Sequence, residues 1–126
     1  MSAVILALVA QALAAPPPVH QWADLPVFPL PRAASAADAS AFVKAEVEAG
    51  RCAAATSVED GMHLAAPVAI LVGPSGMVRQ IIPQAIGCPT VEQYTVGYLL
   101  SLTRAGPGSA MTPQPGWYSL TVGYRW

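Results

Sequence analysis

The chain has 126 residues, a formal net charge of -1 and only 10% charged residues. That length supplies one domain rather than two, and that charge provides no basic field to hold nucleic acid or an anionic membrane surface. The hydrophobic fraction of 54% is raised by alanine and by an apolar N-terminal run, so a domain this small has a thin core for its surface.

Residues 1–14 read as a signal peptide. The apolar run from Ala3 to Ala10 is too short to cross a bilayer, which takes about 20 residues. Ala12-Leu13-Ala14 has the small-x-small form of a cleavage site, leaving Ala15 as the new N-terminus. The segment before the apolar run has no Lys or Arg, and a buried helix or a short uncleaved anchor are the other readings. The expected location is periplasmic or secreted, with no stable membrane span.

Residues 15–34 form a proline-rich linker. Pro16-Pro17-Pro18 favours polyproline II, and Pro26, Pro29 and Pro31 stop any helix. Trp22, Leu25, Val27, Phe28 and Leu30 are too apolar for a solvated tail, so this segment is expected to lie extended along the domain. The other reading is a partner-binding peptide.

The domain proper is residues 35–126. A helix is predicted over Ser35–Ala49, with Ser35 as its cap and Asp38 completing a capping-box pattern. Phe42, Val43 and Val47 make its apolar stripe, Lys44, Glu46 and Glu48 face water, and Gly50 is the expected C′ residue. Ala53 to Gly61 reads as a loop. Met62 to Leu64 can begin a strand, which Pro67 interrupts. Val68–Val72 and Met77–Ile82 are the strands of a hairpin turned by Gly73-Pro74-Ser75-Gly76, and Pro83 ends it. Thr90–Leu102 is a second helix, capped by Thr90 with Gln93 and preceded by Pro89. Val91, Tyr94, Tyr98, Leu99 and Leu102 fall at helical spacing. Gly97 weakens the helix unless it packs closely on the sheet there. Trp117–Trp126 is the last strand. Tyr118, Leu120, Val122, Tyr124 and Trp126 face the helices, and Trp117, Ser119, Thr121, Gly123 and Arg125 mostly face water.

Two cysteines in an exported chain suggest a disulfide between Cys52 and Cys88. It would close about 37 residues and contribute roughly 4 kcal/mol in the chain-entropy model. A reactive thiol or a metal pair is the alternative, but there is no C-x-x-C and no histidine nearby to complete a zinc shell.

Hairpin, helix and terminal strand together resemble the C-terminal domain of TonB-type energy transducers. Val68-Ala69-Ile70-Leu71-Val72, the Ser75-Gly76 turn, Met77-Val78-Arg79-Gln80-Ile81-Ile82, the helix from Val91 to Leu102 and the strand from Tyr118 to Trp126 carry the likeness, over about the last 59 residues. Cys52, Cys88 and the helix from Ser35 lie outside that pattern. The resemblance implies a sheet whose terminal strand pairs with a short peptide of an outer-membrane TonB-dependent receptor.

The residue types that carry catalytic chemistry are scattered along the chain. His20 and His63 have no neighbour at ligand spacing, and Glu46, Glu48, Glu59, Asp60 and Glu92 are dispersed. Ser75 lies in a hairpin turn rather than a nucleophile elbow. No catalytic, metal or cofactor site is assigned. Arg79 and Arg125 are candidates for the exposed sheet face. The expected fold is α+β: an antiparallel three-stranded sheet with two helices on one face and one disulfide. The expected function is peptide recognition by strand addition, with Trp117, Tyr118, Tyr124, Arg125 and Trp126 meeting the partner. That partner is a TonB-dependent receptor or a second copy of the chain pairing through the terminal strand. The alternatives are a small secreted enzyme with a site between helix and linker, and a structural envelope protein without a ligand.

Overall fold

The computed structural model describes residues 15–30, 39–104 and 113–126. Four strands, β1 (Thr56–Val58), β2 (Gly61–Val72), β3 (Val78–Pro83) and β4 (Gly116–Arg125), make one antiparallel sheet. β2 is its centre: β1 and β3 share one edge of β2, and β4 takes the other along its length. Helices α1 (Ser40–Glu48) and α2 (Pro89–Arg104) cover one face. A short 3-10 helix, Val19–Asp24, lies against the other. The fold is α+β with the disulfide Cys52–Cys88, Cα atoms 4.8 Å apart.

Two expectations change. The sheet has four strands rather than three, because the stretch read as a loop contains β1, which folds back through Glu59-Asp60 onto the start of β2. Helical cover is not confined to one face, because the segment read as a linker contains the 3-10 helix. Trp22 in that helix and Ala69 in β2 are both buried on the face away from α1 and α2.

Alternation along β2 and β4 decides what the core contains. Leu64, Ala66, Val68, Ile70 and Val72 point to the helices, and from β4 so do Val122 and Tyr124. α2 adds Val91, Thr95 and Leu99 at helical spacing, and α1 adds Val43. Thr95, absent from the predicted stripe, is fully buried. Its hydroxyl donates to the Val91 carbonyl at 2.8 Å and shares a 2.7 Å hydrogen bond with the Tyr124 hydroxyl. That contact satisfies the polar end of the largest fully buried side chain.

Pro67 does not interrupt β2. Its missing N–H lies on the edge facing β1 and β3, opposite Gln84, where β3 has ended and β1 has not begun. Its carbonyl still accepts from the Gln84 N–H at 2.9 Å, so the strand loses one bond at a break in the ladder and none to β4. The hairpin turn forms as expected. Gly76 has a φ of 80° and its N–H donates to the Gly73 carbonyl at 2.9 Å. The pairing shifts by one residue between Leu71 and Val72, so β3 carries a bulge at Arg79.

The helix ends follow local rules, in part with different residues. α1 ends on Gly50 with a φ of 77°, the Gly50 N–H donating to Val47 and the Arg51 N–H to Glu46, both at 3.0 Å. This is the Schellman pattern. The predicted start at Ser35 and Asp38 lies outside the described residues. α2 begins one residue before the expected cap. Pro89 occupies the first helical position, and the Glu92 carboxylate, rather than Gln93, reaches back to accept from the Ile86 and Cys88 N–H groups at 3.1 and 3.0 Å. Gly97 has open space where a Cβ would stand, so no close packing accounts for it.

Replacing both cysteines by alanine is expected to lower the unfolding free energy by roughly 4 kcal/mol on the chain-entropy model, measured by urea unfolding. A loss under about 1 kcal/mol contradicts the disulfide's place in holding the helices. Thr95→Val leaves the buried Tyr124 hydroxyl without its partner and is expected to cost about 1–3 kcal/mol in the same measurement.

Candidate functional site

The outer edge of β4 is the longest of the sheet's edges, beside the shorter outer edges of β1 and β3. Met62 and Trp126 exchange both backbone hydrogen bonds, at 2.8 and 3.2 Å. In an antiparallel ladder this sets the even-numbered residues of β4 toward β2. The N–H and C=O groups of Trp117, Ser119, Thr121, Gly123 and Arg125 then point outward.

Part of that edge is already occupied. The Ser119 N–H donates to the Pro26 carbonyl at 3.0 Å, and the Phe28 N–H donates to the Ser119 carbonyl at 2.9 Å. Residues 26–28 therefore lie beside β4 as a short parallel strand, Val27 opposite Ser119. Further along, the Arg125 N–H donates to the Ser40 hydroxyl at 3.1 Å. Between these two contacts, the outward groups of Thr121 and Gly123 have no hydrogen-bond partner among the described residues. Both residues are exposed.

The side chains predicted to meet a partner separate by face. Tyr124 is a correction: it is fully buried, because its alternation places it on the helix side, and its hydroxyl is bound to Thr95. Burial pushes its phenol above the ordinary range, opposed by the Thr95 hydrogen bond. Tyr118 is half-buried, donates to the Gln114 carbonyl at 2.6 Å and packs edge-to-face on Phe28, ring centres 5.9 Å apart. Trp126 is half-buried at the end of the ladder, its backbone paired with Met62. Trp117 is half-buried, and its indole nitrogen is buried with no partner among the described residues. Arg125 is exposed and stands across the ladder from His63. Arg79 is also exposed, with its stem lying over Gly73. His20 is exposed in the 3-10 helix.

Pro26, Phe28 and Ser40 close the edge, and no local pattern in the sequence marks them for it. The available signal was the apolar run in the linker, which correctly implied contact with the domain but not with which strand. Beside this edge lies a groove of about 280 Å³ lined by Val19, Trp22, Ala23, Pro67, Gln84 and Thr121 among others. Its lining has no titratable side chain; its polar members are Gln84, Ser119 and Thr121.

Elsewhere, Glu46 corrects its assignment to a water-facing surface. Its residue exposure is 6%, and it accepts from Arg51 Nε at 2.7 Å and Nη2 at 2.5 Å. The Schellman turn returns Arg51 across the end of α1 and makes this pair possible. The Arg51 hydrogen bond, with a second from Thr90, holds the Glu46 carboxyl below its ordinary range. Among the described residues, no group of three or more His, Cys, Asp or Glu side chains is placed to hold a metal ion. No described helix is long and apolar enough to cross a membrane. No family model, curated protein or solved structure matches this chain.

The Glu46 carboxylate has a pKa lower in the folded chain than its ordinary 4.5, so its contribution is present above that value and lost as pH falls through the folded one. Glu46→Gln is expected to narrow the stability gap to wild type below about pH 4.5 and leave it constant above about pH 5.5, by urea unfolding across pH. A gap that does not change with pH contradicts the ion pair as its source.

Proposed function

We propose that the chain is an exported adaptor module that recognises an extended peptide by strand addition at β4. The observation that carries this reading is the pair of residues Thr121 and Gly123, whose outward main-chain groups have no partner among the described residues, between the occupied positions Ser119 and Arg125. An incoming strand completes hydrogen bonds that the fold leaves open. The chain's own residues 26–28 already dock on this edge, which supports its competence to take an extended segment. The Cys52–Cys88 bridge favours an oxidising compartment, periplasmic or secreted.

The resemblance to the C-terminal domain of TonB-type transducers supports the N-terminal peptide of an outer-membrane TonB-dependent receptor as the partner class. Only a short stretch of backbone is open, so side chains supply much of the selectivity. The exposed Arg125 takes an acidic residue of the peptide, and the half-buried Trp117 and Trp126 bound the site. Tyr118 contributes through its contact with Phe28 rather than by direct exposure.

A synthetic receptor N-terminal peptide titrated into the ¹⁵N-labelled chain is expected to shift the amides of Thr121, Gly123 and Arg125. Thr121→Pro removes an outward N–H without touching the ladder to β2, and is expected to abolish those shifts while the far-ultraviolet dichroism stays unchanged. Absence of shifts along residues 117–126, or equal binding by the proline variant, contradicts the proposal.

A further inference from the structure

Residues 16–30 hold β4 from both faces. On the face away from the helices, Trp22 is 6% exposed, and its indole N–H donates to the Pro17 carbonyl at 2.9 Å. The polar end of that side chain is therefore satisfied within the segment itself, independently of the sheet. On the helix face, Phe28 is 7% exposed and packs at an 88° angle on Tyr118. Between these anchors the chain rounds the edge of β4, with Leu25 half-buried, Val27 71% exposed and Ser119 as the point of backbone pairing.

The grip is specific but incomplete. Backbone bonding reaches one residue of β4, and a groove of about 280 Å³ stays open under the 3-10 helix beside Thr121. Unfilled space at such a joint forfeits dispersion contacts that a close-packed core would make. Pro17, Pro18, Pro26 and Pro29 bias the segment toward extended conformations before it docks. An incoming peptide that bonds Thr121 and continues toward Ser119 meets this segment on its path.

We infer that the edge of β4 is a docking site for an extended, proline-containing segment with two aromatic anchors, one for each face of the sheet, and that residues 16–30 are its occupant in cis. This rests on the strand-addition reading and adds the chemistry of the ligand. The partner gains the edge from Trp117 to Gly123 by displacing residues 16–30. It therefore carries an aromatic residue for the Trp22 position and another for the Phe28 position. The spacing between them is that of Trp22-Ala23-Asp24-Leu25-Pro26-Val27-Phe28.

The test uses the full chain with Trp22→Ala and Phe28→Ala, and a synthetic peptide of residues 16–30 added in trans. The peptide is expected to bind this variant and return the Ser119 amide toward its wild-type position. It is expected to bind the wild-type chain at least ~10²-fold more weakly, because the tethered segment competes at high effective concentration. A peptide carrying the same two alanines is expected not to bind the variant. Should the double variant lose its dispersed amide spectrum, Phe28→Leu keeps an apolar side chain at the core while removing the edge-to-face contact, and is expected to show weaker but measurable binding. No binding by a folded variant overturns the inference. Shifts confined to Thr121 and Gly123, equal for native and alanine peptides, overturn it while leaving strand addition standing.

Discussion

The ladder between β2 and β4 is the constraint on which the other features depend. It runs from His63 opposite Arg125 to Val72 opposite Gly116. Its register puts Val122 and Tyr124 into the core beside Leu64 and Ala66, and turns the main-chain groups of Ser119, Thr121 and Gly123 outward. A slip of one residue would exchange those two roles along the whole strand. Gly61 sits where the carbonyl of Trp126 leaves no room for a Cβ, so the end of β4 is fitted to the start of β2 at that register.

The helical layer is tied to this ladder at the start of α1, and α1 is tied to α2 at its end. At its start, the Ser40 hydroxyl accepts the outward N–H of Arg125. At its end, the Schellman turn delivers Arg51 to Glu46 and Cys52 to Cys88, and Glu46 also meets Thr90 at the opening of α2. Covalent, ionic and capping contacts thus converge where the two helices meet. Phe42 and Tyr94 stack across the same pair of helices, ring centres 4.5 Å apart. For a domain with a thin core, joining the helices here removes freedom from the unfolded chain and fixes α1 against the sheet.

Much of this was legible in the residues. The Gly73-Pro74-Ser75-Gly76 turn, Gly50 past the end of α1, and the alternation of the last strand are local signals, and the structure follows them. The pairing of Cys52 with Cys88 followed from there being no other partner. What was not legible depended on context. Pro67 stands in a strand because of where β1 and β3 stop, which no local rule encodes. Thr95 is inside because Tyr124 needs a partner there. Glu46 is buried because a turn five residues on brings Arg51 back. Cys88 heads α2 although it is not a usual capping residue, since Glu92 supplies the missing acceptor. The 3-10 helix and its contact with Ser119 arise from long-range packing of Trp22 and Phe28.

Among the described residues, the edge of β4 is thus closed at Ser119 by residues 26–28, closed at Arg125 by Ser40, and open between them. This partial closure protects an edge strand from indiscriminate pairing and leaves a defined stretch for a selected one. Amide hydrogen exchange of the free chain measures it residue by residue. The account predicts slow exchange at Val122, Tyr124 and Ser119, intermediate protection at Arg125, and fast exchange at Thr121 and Gly123. Uniform protection along residues 117–125 would mean that the stretch is not open, and would contradict the central claim.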